Sequence, residues 1–257
     1  MTRPHPFGNK AAPTIRASGF AHRVSDVGPH PSPALRPLVN VPGSPAPVGL
    51  CLPLEGPIAE GECVSLGWPE PAEFDLITAL RNRPAVRACF LDARPLEPAA
   101  NREWLAHGMR RPEEGLLSVR IGPQQTFCGT IGWSDYRPDL RTFEIGRIMV
   151  EPAAIRPYRA GFPPGYRGVA VDASRTLLRF AFETMRLDCV TSVFLADLAL
   201  PRRVNLLAGG QYAGDEERER PDGSRVRVTT MRLTREHWLD IQAGPVTAAP
   251  MLAGSGR

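Results

Sequence analysis

The residues best suited to chemistry lie between Phe143 and Glu183. Glu144 stands between Phe143 and Ile145, apolar neighbours that raise a carboxyl pKa and suit it to accept a proton near neutrality. Farther on, Gly165-Tyr166-Arg167-Gly168-Val169-Ala170 leads into a segment with Leu177, Leu178, Ala181 and Phe182 on one helical stripe. The first N–H groups of a helix have no internal partner and point beyond its N-terminus, and Gly165 and Gly168 let a phosphate approach the backbone closely. The pair forms an anion-binding device with a candidate base on the strand before it. The simpler alternative for Glu144 is a carboxylate paired with an arginine on a solvated strand face.

The positioning elements follow from periodicity. Residues 143–150 alternate as a strand, with Phe143, Ile145, Arg147 and Met149 facing one way and Glu144, Gly146, Ile148 and Val150 the other. Before it come a short strand (63–68), helices near 71–80, 85–91 and 98–109, and a hairpin of strands 116–121 and 125–133 about Gly122-Pro123. Residues 135–141 read as a polar turn. After the helix ending near Met185 come a strand (189–195), a helix (201–208) closed by Gly209-Gly210, and strands 211–220 and 225–233 joined by Pro221-Asp-Gly-Ser. The order predicts one α/β domain over 61–240, with a mixed, mostly antiparallel sheet flanked by helices. Residues 1–60, where prolines recur at short intervals, read as a mostly disordered or extended segment with Val48–Leu54 as a possible arm, and 241–257 as a flexible tail.

Composition narrows the function classes. The 257-residue chain has a net charge of +4, and Lys10 is its only lysine. Arginine favours phosphate as a planar fork, but no basic patch is interleaved with aromatics, so nucleic acid is not an expected partner. No apolar run approaches the roughly 20 residues that span a bilayer, so no membrane partner is expected. The five cysteines (51, 63, 89, 128 and 189) are widely spaced, without a CxxC pair. They indicate neither a disulfide framework nor a zinc site, and fit a reducing cytoplasm. No metal is expected. The arginine-bearing, acid-poor start resembles a transit peptide, but it lacks the amphipathic helix of one. The run Asp215–Arg220 reads as a solvated hairpin face, with attraction of a cationic amine as the functional alternative. His237 and Trp238 read as an anchoring pair at the domain end.

Four collinear stretches (79–105, 126–152, 165–197 and 204–212) resemble the GNAT superfamily of acyl-CoA N-acyltransferases, especially the branch of ribosomal-protein N-terminal and amino-sugar acetyltransferases. The resemblance implies that N–H groups of Gly165, Tyr166, Arg167, Gly168, Val169 and Ala170 cradle the pyrophosphate of acetyl-CoA. It implies that the backbone of Ile148, Met149 and Val150 pairs with the pantetheine arm, with an oxyanion donor near Met149 or Val150. It makes Glu144 the general base, commonly acting through water, and matches Asn205 to the asparagine of the helix beside the cofactor. Arg81, Asn82, Asp92 and Arg94 fall where this branch builds its acceptor wall, and Trp133, Ser134 and Tyr136 are placed on the acceptor side.

This sequence departs from the family pattern at three places. The phosphate loop starts with Gly165 rather than arginine or glutamine, for which Arg167 could substitute. Residues Pro152 to Pro164 lengthen its approach, either as a lid or substrate wall or as a tolerated surface insertion. Leu207 stands where a tyrosine often protonates the leaving thiolate, leaving Tyr212 as the fallback acid. The expected function is acetyl transfer from acetyl-CoA to a primary amine of a small molecule, such as an amino sugar or antibiotic-like amine. The alternatives are a protein N-terminus as acceptor, or a degenerate acyl-CoA-binding protein without turnover. Homodimerisation is left open.

Overall fold

The computed structural model describes residues 56–108 and 113–243. The expected arm at 48–54 and the tail beyond 243 lie outside them. Eight strands form one sheet in the order β1-β2-β3-β4-β5-β6-β8-β7. They are β1 (Pro57–Glu60), β2 (Val64–Gly67), β3 (Gly115–Ile121), β4 (Thr126–Arg137), β5 (Thr142–Val150), β6 (Cys189–Leu195), β7 (Gln211–Glu219) and β8 (Arg225–Thr234). Only β5 and β6 pair in parallel; every other neighbour is antiparallel. The helices are α1 (Phe74–Asn82), α2 (Pro84–Arg87), α3 (Pro98–Glu103), α4 (Pro152–Ile155), α5 (Val169–Arg179), α6 (Ala199–Ala208) and α7 (Arg235–Ala243). The expected α/β class and mixed sheet are thus present.

At the end of the segment read as mostly disordered or extended, Pro57–Glu60 form strand β1, whose proline opens an outermost strand, where a missing N–H is tolerated. Two other expectations are corrected. The turn expected at 135–141 is shortened, because β4 runs to Arg137 with an irregularity between Ser134 and Arg137 and Asp135 at φ +50°. The C-terminal helix α7 buries Trp238 at 2% exposure against Phe182, ring centroids 5.7 Å apart, so Trp238 is core rather than a surface anchor.

The half of the sheet before β5 is built for rigidity. Arg120 of β3 and Glu73, just before α1, are both buried and joined at 2.7 Å. Glu73 also accepts from Ser118 at 2.7 Å, and Arg120 donates to the Trp68 carbonyl at 2.9 Å. Burial of two charges is tolerable only when their remaining hydrogen-bonding capacity is filled, as it is here. Trp133 stacks on Phe143 (6.3 Å) and meets Trp68 (6.1 Å) beneath these contacts.

The insertion 152–164 is folded. Glu151 caps α4 and pairs with Arg83, Ile155 is buried, and the Tyr158 hydroxyl lies 2.6 Å from Thr126 Oγ1. Phe162 lies against Tyr166, ring centroids 4.4 Å apart. The segment therefore packs on the β3–β4 hairpin and the start of the glycine loop.

Candidate active site

The sheet opens at the point where chemistry was expected. Pairing of β5 with β6 covers Thr142–Cys189, Phe143–Val190 and Glu144–Thr191, and extends no farther. Beyond Glu144 the edge of β5 facing β6 has no strand partner, so an extended ligand can add to it as a strand does. A narrow cavity of about 20 Å³ lies at this parting, bordered by Ile145 and Ile148 of β5, Ser192 of β6, Ser174 of α5, and Asn205 and Ala208 of α6.

A bulge in β5 shapes that edge. Gly132 faces Gly146 while Thr130 faces Met149, so β5 carries one residue more than β4 between these pairs. Arg147, inside the bulge, has φ +55°, a left-handed conformation uncommon for a residue with a side chain. Thr130 Oγ1 donates to the Arg147 carbonyl at 2.8 Å and holds the distortion. The extra residue corrects the strict alternation expected across 143–150: Ile148 borders the same cavity as Ile145, while Met149 pairs with Thr130.

Strand register sorts the remaining candidates, because cross-strand partners share a face and sequence neighbours do not. Ser134 pairs with Glu144, Glu144 with Thr191, and Thr191 with Arg232, making one polar row across β4, β5, β6 and β8. Glu144 is half-buried, and loss of hydration pushes its carboxyl up to about 7. The charges of Arg218 and Arg147 pull it down, and those of Asp135 and Glu216 push it up. A base titrating near neutrality is suited to proton transfer at neutral pH.

Tyr212 does not join this row. It pairs with Met231, which pairs with Ser192, the residue after Thr191. Its side chain therefore belongs to the opposite face from Glu144, and it is 58% exposed. The fallback acid is corrected on that geometry. Trp133 is 1% exposed within the core and offers no wall to an acceptor; Tyr136 is also buried. Asn82 commits its amide in both directions to the backbone of Leu96 (2.8 and 2.7 Å). Arg81 is buried, donates to the Asp92 carbonyl at 2.6 Å and lies over the Phe90 ring at 3.9 Å. Asp92 and Arg94 pair with each other. Arg81 and Asn82 thus tie the loop after α2 to α1, while Arg81 Nη1 is buried without a partner among the described residues.

The other end of the site is the N-terminus of α5. Gly165 and Gly168 have φ +81° and +102°, and the space where their side chains would stand is open. No side chain caps the helix; Val171 and Asp172 donate to the Gly168 carbonyl, leaving the preceding N–H groups of Val169 and Ala170 without intrahelical partners. A cavity of about 280 Å³ lies there, lined by Gly165, Arg167, Gly168 and Arg175 among others. Donors, helix dipole and arginines suit a pyrophosphate. Arg167 donates at 3.4 Å to the carbonyl of Leu207 in α6.

Asp172, not singled out from the sequence, holds the loop in place. Its carboxylate accepts from Glu62 N–H (2.9 Å), Cys63 N–H (2.8 Å) and the Tyr166 hydroxyl (3.1 Å). An acid in the first helical turn was visible in the sequence, but its distant partners were not. Three thiols are poor nucleophiles here: burial pushes Cys128 up to about 12 and raises Cys189, and burial followed by the charges of Asp172 and Glu62 raises Cys63. Among the described residues no cluster of three or more His, Cys, Asp or Glu side chains could hold a metal ion, and no helix is long and apolar enough to cross a membrane.

This geometry agrees with comparison to known proteins. The sequence model described as "Acetyltransferase (GNAT) domain" matches residues 64–204, more than half of the chain. The chain belongs to the GNAT acetyltransferase family. As a GNAT enzyme it is an acyl-CoA-dependent N-acetyltransferase, and acetyltransferases of this family use acetyl-CoA. Solved structures share the fold. A GNAT-family acetyltransferase from Bacillus anthracis is 16% identical with a TM-score of 0.56, the match covering 69% of this chain and 98% of that one. A GCN5-related N-acetyltransferase from Brucella melitensis is 15% identical with a TM-score of 0.58, covering 74% and 85%. Spermidine N-acetyltransferase from Vibrio cholerae, solved with CoA and spermine, is 16% identical with a TM-score of 0.58, covering 68% and 98%. No curated protein sequence matches this chain.

Proposed function

We propose that this GNAT enzyme acetylates a primary amine of a small molecule, an amino sugar or antibiotic-like amine, with Glu144 as general base. The observation that carries the reading is the coincidence at Glu144: the residue with the carboxyl near neutrality is the last β5 residue paired with β6 before the sheet parts. Acetyl-CoA lies along the parting, its pyrophosphate on the N–H groups of 165–170 and its pantetheine beside Ile148, Met149 and Val150. Asn205, which borders the cavity from α6, flanks the arm. One N–H of its amide donates to the Pro201 carbonyl at 2.9 Å, which fixes the side chain within α6.

Acetyl-CoA supplies the activated acyl group; the protein orients it and handles one proton. The amine nitrogen attacks the thioester carbon, the C–S bond breaks, and the nitrogen's excess proton passes to Glu144 directly or through one water. A backbone N–H near Met149 or Val150 supports the carbonyl oxygen as negative charge develops there. Ser134, beside Glu144 on the same face, borders the acceptor. With Leu207 at the position of the usual acid and Tyr212 on the other face, the departing thiolate takes its proton from water. Localisation in the cytoplasm accords with the use of acetyl-CoA.

The likeness to an enzyme whose structure holds spermine supports a small amine over a protein acceptor. A panel of amino sugars, aminoglycosides, polyamines and ribosomal-protein N-terminal peptides, compared by kcat/KM, tests this reading. The proposal expects an amino sugar or aminoglycoside to exceed the peptides by at least about 100-fold, a transition-state difference near 2.7 kcal/mol. Preference for a peptide N-terminus would contradict it.

A further inference from the structure

The insertion at 152–164 reaches the glycine loop, and Tyr166 is where the two meet. Tyr166 stands between Gly165 and Gly168, whose φ angles of +81° and +102° belong to residues with little intrinsic stiffness. Its N–H donates to the Pro163 carbonyl at 3.1 Å, closing the turn that joins insertion to loop. Its ring packs on Phe162 of the insertion, centroids 4.4 Å apart. Its hydroxyl donates at 3.1 Å to Asp172 of α5, which also accepts from Glu62 and Cys63 in the β1–β2 turn. Gly61 of that turn lies so close that a side chain there would collide with Asp172 and Thr176. Tyr166 is thus gripped at its ring by the insertion and at its hydroxyl by α5.

The insertion is itself anchored away from the loop. The Tyr158 ring covers Gly122 of the β3–β4 turn, where φ is +73° and a side chain would strike the ring. The Tyr158 hydroxyl lies 2.6 Å from Thr126 Oγ1, and Ile155 is buried. Gln125 of the same turn accepts from Ser65 of β2. A continuous run of contacts therefore leads from β2 through the hairpin and the insertion to the loop. It returns through Asp172 to the β1–β2 turn.

From this arrangement, and resting on the reading of 165–170 as the pyrophosphate cradle, we infer that Tyr166 and Phe162 are positioning residues for acetyl-CoA. The insertion is a brace that holds the cradle in its binding conformation before the cofactor arrives; it is neither a lid nor an acceptor wall. A loop with two such glycines would otherwise be ordered only on binding, at a cost in affinity. Gly165 brings no side chain to the phosphates, so the cradle depends on where its backbone is held. The brace acts at the phosphate end, since none of these contacts involves a residue bordering the parting of β5 and β6.

The test compares the full wild-type chain with Tyr166→Phe, which loses the hydroxyl, and Phe162→Ala, which loses the ring contact. Each should raise the CoA dissociation constant and the acetyl-CoA KM by about 3–10-fold, the worth of one hydrogen bond or one aromatic pair. The kcat and the KM of the best amine of the panel should not change. With acetyl-pantetheine, which carries the thioester but no pyrophosphate, wild type and variants should have equal kcat/KM. A merely structural role would weaken turnover of both donors alike, and that result overturns the inference. Unchanged CoA affinities overturn it too, as does a rise confined to the amine KM, which would make the insertion an acceptor wall. Wild type that uses acetyl-pantetheine as well as acetyl-CoA would sink the cradle reading itself, and the inference with it.

Discussion

Glu144→Gln should lower kcat/KM by about 10²–10⁴-fold, the usual worth of a positioned general base, and leave CoA affinity almost unchanged. The same substitution should make the protein more stable at alkaline pH. The folded carboxyl titrates at about 7 against an ordinary 4.5. Between those values the folded chain holds a proton that the unfolded chain has released. Stability therefore falls as pH rises through this window, and the loss is complete above the folded value. It amounts to about 3.5 kcal/mol at most, since each pH unit of displacement is worth about 1.4 kcal/mol. Glutamine carries no such penalty, so wild type and variant should unfold alike near pH 4 and diverge by pH 8. Steady-state thiol release and urea unfolding at the two pH values check both halves. A variant of wild-type activity, or one equally destabilised at both pH values, would contradict the role assigned to this carboxyl.

A second large effect is expected far from the reacting atoms. Glu73→Gln should destabilise the protein by about 2–3 kcal/mol, because it leaves the buried Arg120 guanidinium with only the exposed Glu70 carboxylate, at 3.3 Å, as counter-charge. The amide can still meet Ser118 or the Glu70 N–H, which Glu73 now binds at 2.7 and 2.8 Å, but it cannot neutralise the cation. The double variant Glu73→Leu/Arg120→Met removes both charges and should be less destabilised than Glu73→Leu or Arg120→Met alone. Urea midpoints of the four proteins give this cycle directly. The pair joins the start of α1 to β3, so its loss should loosen α1 before it disturbs the parting of β5 and β6.

The contrast between these two sites shows what the sequence could disclose. The strand carrying Glu144, the glycine turn and the helix behind it are local features, and alternation, glycines and an apolar stripe revealed them. The family resemblance then placed the cofactor beside them. What stayed hidden depends on register. Arg147 has an ordinary side chain in an unusual conformation, so nothing in its type announces the bulge that turns Ile148 toward the cavity. Trp133 and Asn82 are polar-capable residues near the expected acceptor side, yet one completes the core and the other ties down a loop. Such choices are made by neighbours distant in sequence. Asp172 went unnoticed for the same reason, because its three donors lie on two other segments.

The structure of the complex with CoA measures the central claim most directly. The account predicts a pyrophosphate oxygen within about 2.7–3.2 Å of the Val169 or Ala170 N–H. The pantetheine should lie along Ile148–Val150, with its sulfur on the Glu144 side of the parting between β5 and β6. A pantetheine lying outside that parting, or a sulfur reaching the face of Tyr212 instead, would contradict it.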